Sequence, residues 1–184
     1  MRLLKYAILG LINREPITGY DISREFDHGL VNFWYATHSQ IYPELRKLTE
    51  EGLVTFEIDT RGDRQEKKRY LITEKGKREL QKWLSKPEEV GPTPKDVFRL
   101  KLYYLNDLEK DTVLAHLRDQ MQKRSRKLKQ LERGLAEKQQ ESESYGKAYN
   151  REIGDYLVLY GAIAREKGYI EWISYCIDYL NKIE

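Results

Sequence analysis

Between Pro87 and Pro94 the chain places three prolines and one glycine, Gly91, within eight residues. Proline fixes φ and removes a backbone donor, and the residue before it avoids the helical region, so no regular element is expected to cross this stretch. The chain therefore reads as two bodies, residues 1–86 and 95–184, joined by a linker over 87–94. A length of 184 residues suits two small domains. Both have the material for a core, because 40% of the residues are hydrophobic and 14 Tyr and 3 Trp are among the larger side chains.

In the first body the apolar spacing is helical at Leu3, Leu4, Ala7, Ile8, Leu11 and Ile12, and Asn13 to Pro16 interrupts it. Thr18 is placed to cap a second helix from Gly19 to about Phe26, with Ile22 and Phe26 on one face. Phe33-Trp34-Tyr35 then forms a bulky anchor. A third helix is expected over Thr37 to Glu51, burying Ile41, Leu45 and Leu48 and ending at Gly52; Pro43 is tolerable there only near its start. Leu53–Ile58 and Lys68–Ile72 read as two strands of a hairpin around Gly62. Thr73 opens a fourth helix, with Leu80, Trp83 and Leu84 expected to face inward.

The second body reads as all helix. After a short helix from Lys95 to Tyr104, the segment from Asp107 to about Ser144 lacks proline and has one glycine. Leu114, Leu117, Met121, Leu128, Leu131 and Leu135 follow alternating steps of three and four, with Arg124 in one slot that should be apolar. Such a seam predicts a coiled-coil-like partner helix. A last helix from about Asn150 to Asn181 carries a stripe of Tyr156, Tyr160, Ile163, Ile170, Ile173, Ile177 and Leu180.

Charge distinguishes the two bodies. Residues 1–86 hold 16 Lys+Arg against 13 Asp+Glu, whereas 87–184 hold 17 of each. Eight basic and three acidic residues fall between Arg61 and Arg78. A local basic patch serves phosphate binding better than total charge does. Helix, helix, helix, hairpin, helix is the order of a winged helix-turn-helix, whose third helix enters the major groove. The expected DNA contacts are His38, Ser39, Gln40, Tyr42 and Arg46 on that helix, and Arg64, Lys67, Lys68 and Tyr70 on the wing. Helix contacts would read base edges, and wing contacts would position the protein. A domain of this shape that binds protein instead of DNA, a helical dimeric adaptor, is the competing reading. It would show more exposed apolar surface.

Five segments of the first body carry a further signal: Leu4-Lys5-Tyr6-Ala7-Ile8-Leu9-Gly10-Leu11, Thr18-Gly19-Tyr20-Asp21-Ile22, His38-Ser39-Gln40-Ile41-Tyr42-Pro43-Glu44-Leu45, Leu48-Thr49-Glu50-Glu51-Gly52-Leu53, and Lys67 through Gly76. In this order they resemble the PadR family of bacterial repressors. The second body is similar to the helical region of the longer members, less distinctively, at Tyr156-Leu157-Val158-Leu159 and Arg165-Glu166-Lys167. The resemblance implies a homodimer on a roughly palindromic double-stranded operator, with the helical region dimerising. It also implies repression relieved by a small aromatic effector such as a phenolic acid. Tyr6, Trp83, Phe98, Tyr156 and Tyr160 are the aromatic side chains that could line such a site. Where the phenolic-acid sensors of the family carry a histidine ahead of the Tyr-Leu-Val-Leu segment, this chain has Asp155, whose charge would repel a carboxylate.

Other chemistries find no support. His28, His38, His116 and Cys176 lack zinc-like spacing, so neither metal nor other cofactor is expected. No phosphate-cradling glycine loop or catalytic constellation is present, and the chain reads as a non-enzyme. A lone cysteine fits a reducing compartment and no run approaches a membrane span, so a cytoplasmic protein is expected. Cys176 itself reads as a small buried hydrophobe.

Overall fold

The computed structural model describes residues 2–28, 34, 36–59, 67–150 and 152–183. They form two compact units, Met1–Gly91 and Pro92–Glu184, which divide inside the proline-rich stretch.

In the first unit, α1 (Leu3–Arg14) buries Ile8, Leu9, Leu11 and Ile12. A two-residue strand, β1 (Ile17–Thr18), leads into α2 (Gly19–His28), where the Thr18 hydroxyl accepts from the Asp21 N–H at 3.2 Å and caps the first turn. Ile22 and Phe26 lie wholly inside. Helix α3 (His38–Glu50) presents Ile41, Leu45 and Leu48 to the same core and stops where Gly52 takes a left-handed φ of 66°. Strands β2 (Val54–Asp59) and β3 (Lys67–Ile72) pair antiparallel with Phe56 opposite Tyr70. β1 adds to the far edge of β3, giving the order β1-β3-β2, a third strand that the hairpin pattern did not predict. Thr73 caps α4 (Glu74–Leu84) by accepting from the Gly76 N–H at 3.1 Å. Gly76 sits so close that a Cβ there would stand 2.1 Å from the Leu53 carbonyl oxygen. Leu80 is buried and Trp83 packs on the core, but Leu84 is 64% exposed. The inward expectation for Leu84 fails because it lies one position past the buried stripe.

In the second unit, Asp96 caps the short α5 (Val97–Tyr103) by accepting from the Arg99 N–H, and a single 3₁₀ turn follows at Leu105–Asp107. Two long helices, α6 (Lys110–Glu141) and α7 (Ile153–Lys182), then pack antiparallel. Their seam holds two apolar clusters. Val113, Leu117, Tyr169 and Ile173 form one, and Leu131, Leu159, Ala162 and Ile163 form the other. Between these clusters lies the slot occupied by Arg124. Its guanidinium donates to Glu166 at 2.9 Å and rests 3.8 Å from the Tyr169 ring centre, and Lys127 reaches the other Glu166 oxygen at 3.4 Å. The Glu166 side chain has no exposed surface at all. Burial opposes the charge on Arg124, yet the hydrogen bond to Glu166 holds it still more firmly protonated. The stripe predicted on α7 holds from Ile163 onward, whereas Tyr160 lies off the seam and is 56% exposed. Gly146, at φ 72°, reverses the chain under the ring of Tyr156, with no room for a side chain.

Candidate nucleic-acid interface

Burial of Ile41, Leu45 and Leu48 turns the opposite side of α3 outward, and helical periodicity then fixes what that side shows. His38, Ser39, Gln40, Tyr42 and Arg46 are all exposed. All five therefore lie on the solvent side of the helix. Two of them also serve the helix start: the Gln40 side-chain oxygen accepts from the Thr37 N–H at 3.0 Å, and the Ser39 and Thr37 hydroxyls lie 2.8 Å apart. Gln40 thus keeps its amide donors free while its acceptor is engaged. Bidentate reading of adenine would use a donor together with the remaining acceptor capacity of that oxygen, since an amide oxygen carries two lone pairs.

Beside α3 a groove of about 870 Å³ opens between Tyr42, Arg46, the start of α2 and the strands carrying Lys67, Lys68 and Tyr70. Tyr42 lies across Gly19, where a Cβ would come within 2.9 Å of its ring. Lys67 and Lys68 are exposed, and the Lys68 ammonium sits 4.2 Å over the Phe56 ring. Tyr70 is 9% exposed and forms the floor of the groove; burial pushes its phenol pKa up, so it stays protonated. Arg64 lies outside the described residues. Tyr20, 66% exposed at the start of α2, also lines this groove and was not among the predicted contacts. Its signal was the N-cap pattern Thr18-Gly19-Tyr20, since a helix start directs N–H groups at an anion. Arg2 was missed as well. It donates to Glu44 at 2.6 Å and to Glu51, bracing α3 from its inner side.

The aromatic candidates fall into separate groups. In the first unit Tyr6 stacks on Trp83 with centroids 4.6 Å apart, and its hydroxyl donates to Glu79, which Lys5 also meets at 2.7 Å. In the second, Phe98 meets Trp172 edge-on, while Tyr156 stacks on Tyr160 and abuts Tyr145. Tyr156 and Trp172 are about 24 Å apart along α7 at 1.5 Å per residue, so Phe98 and the tyrosine pair do not converge. Asp155 accepts from the Tyr145 hydroxyl at 2.6 Å and pairs with Lys138 at 2.8 Å. A carboxylate already holding an ammonium repels an incoming anion less than a bare one. Cys176 packs in the first apolar cluster of the seam, and burial pushes its thiol up.

The family profile "Transcriptional regulator PadR-like family" matches residues 8–82, and "Virulence activator alpha C-term" matches residues 94–181. The chain is 43% identical over 182 residues to the negative transcriptional regulator PadR of Bacillus subtilis, covering 99% of this chain and all of that one. It superposes on the crystal structure of B. subtilis PadR in complex with operator DNA with a TM-score of 0.91 at 40% identity, over 97% of this chain and 98% of that one. Against B. subtilis PadR in complex with p-coumaric acid the TM-score is 0.84 at 38% identity, over 98% and 100%. With both units matched end to end, the chain belongs to the PadR-like family of transcriptional regulators.

Proposed function

We propose that this protein is a repressor that binds a palindromic operator as a homodimer and releases it in response to a small aromatic effector. The observation that carries the reading is the polar outer face of α3, His38 through Arg46, standing beside a groove edged by Lys67 and Lys68. Inserted in a major groove about 12 Å wide, that face meets base edges while the lysines meet phosphate. Two-fold symmetry sets the two recognition helices about 34–36 Å apart, one turn of duplex. A second copy covers the apolar surface the helical unit leaves open, including Leu157, Tyr175 and Tyr179 on α7 and Leu100 and Tyr103 on α5. Release follows from an effector that binds the operator-free arrangement more tightly than the bound one. Likeness to B. subtilis PadR, solved with p-coumaric acid, makes aromatic acids the first class to screen, and Tyr6, Trp83, Phe98, Asp155, Tyr156 and Tyr160 the residues to vary. The protein acts in the cytoplasm, as a regulator and not as an enzyme. Among the described residues no helix is long and apolar enough to cross a membrane.

The test is a mobility shift with DNA upstream of the protein's own gene and its neighbours, at a salt where nonspecific binding is weak, Kd about 10⁻⁴–10⁻⁶ M. A discrete nanomolar complex, dissolved by an aromatic acid, is expected. Absence of any complex, with capture of a protein partner through the same α3 face, would replace this reading by the adaptor.

A further inference from the structure

The second unit holds 17 basic and 15 acidic residues, and its charge is not evenly spread. Residues 118–133 of α6 carry seven basic and two acidic side chains. Arg124 and Lys127 are engaged by buried Glu166, and Lys123 pairs with Asp119 one turn back. The others follow a different rule. Arg118, Gln122, Arg126, Lys129 and Arg133 are all exposed. At about 100° per residue they fall within an arc of about 80°, a single straight row about 22 Å long, turned away from the seam with α7.

Arg118, Arg126 and Lys129 have no acidic partner among the described residues, and Arg133 has only the exposed pair with Glu137. A solvated helix face ordinarily places acids three or four residues from its bases. Here the residues at those distances from Arg126 are Gln122, Lys123, Lys129 and Gln130, and Glu132, near Lys129, is taken by Lys167 at 2.9 Å. Like charges at such spacing repel, and an anion lying along the row relieves the repulsion. Three guanidinium groups and an ammonium in line suit a repeating row of phosphates, which arginine can hold with two hydrogen bonds each.

We infer that this row on α6 is a second phosphate-binding surface, which takes the sugar–phosphate backbone of duplex flanking the operator. The inference rests on the DNA-binding reading above. It adds affinity and salt dependence without adding sequence preference, because backbone contacts carry no base information.

The experiment uses the full chain and the duplex it selects from a randomised pool. That duplex is offered bare, or extended by about 15 base pairs on each side with arbitrary sequence, and the salt slope of binding is measured for each. The natural protein is expected to bind the extended duplex more tightly and with a steeper slope. Arg126→Gln with Lys129→Gln should leave bare-site binding unchanged and lower the slope on the extended duplex by about 1.8 for each protomer engaged, near 0.9 for each phosphate no longer neutralised. Glutamine keeps the helix, which circular dichroism checks. Equal affinity of the natural protein for both lengths, or equal slopes for natural and variant protein, would overturn the inference. Dissociation of the variant into monomers in sedimentation would overturn it too, assigning the row to contact between copies. Failure of the natural protein on the bare site would instead sink the DNA-binding reading, and this surface with it.

Discussion

The two units handle charge in opposite ways. In the first, ionic contacts flank one continuous apolar core without dividing it: part-exposed Arg2 meets the buried Glu44, and Lys5 meets Glu79. In the second, the core is divided in two by an ion pair whose acid is wholly buried. The first unit exposes a few large apolar side chains, Tyr20, Tyr42, Ile58 and Leu84 among them, while the second leaves more of them in the open, including Val97, Leu100, Tyr103, Leu157, Tyr175 and Tyr179. A unit that closes its own core is free to display a polar reading face. A unit built around pairing uses a buried polar layer to fix the register of its seam and leaves apolar surface for a partner. That fixing role is known for polar residues in coiled coils.

This contrast can be broken by substitution. The largest effect is expected from Phe26→Ala, which opens a cavity in the single core of the first unit and should cost about 3–5 kcal/mol. Its melting should fall while the helical signal of the second unit persists. Next comes Glu166→Ala, which strands Arg124 inside the seam. Breaking a buried pair costs about 3–5 kcal/mol, and the part-exposed Arg124 places this case at or below the low end. Arg124→Leu combined with Glu166→Leu should restore most of the melting temperature but admit shifted pairings of α6 and α7, visible as altered oligomer size. If the double variant were as unstable as the single one, the polar layer would be contributing stability and not register.

Two smaller effects sharpen the contrast on the first unit. Lys67→Ala with Lys68→Ala should leave melting unchanged and flatten the salt slope of DNA binding by about 0.9 for each phosphate that loses its lysine. An unchanged slope would remove β3 from the interface. Smallest is the acid dependence of the α1–α4 clamp. Hydrogen bonds from Lys5, then from Tyr6, hold the Glu79 carboxyl below its ordinary value of 4.5. Its stabilisation is therefore complete above that value and fades as the pH falls through the lower folded one. The stability difference between the natural protein and Glu79→Gln should shrink on acidification over that window, as seen in urea titrations at stepped pH.

The sequence was most readable where a signal is local. Gly52, the Thr18 and Thr73 caps, the buried faces of α1 and α3 and the proline-rich boundary each depend on a few neighbouring residues. Features that depend on distant partners were not visible. β1 is too short to show alternation and exists because Tyr70 and Arg69 stand opposite it. The odd position of Arg124 could be seen, but its partner lies 42 residues away on another helix. The same applies to the site: periodicity placed the outer residues of α3, while the brace from Arg2 and the groove position of Tyr20 emerge only from tertiary packing.

The difference in partner distance also has a kinetic consequence. The first unit cannot close until residues far apart in the chain meet, since Lys5 reaches Glu79 across 74 residues and β1 joins the sheet through β3. The α6–α7 hairpin, by contrast, closes over the short connection between Glu141 and Ile153. Local closure is fast and non-local closure slow. After dilution from denaturant the α6–α7 part of the pairing surface should therefore form first, so that two chains can associate before either has completed the fold that reads DNA.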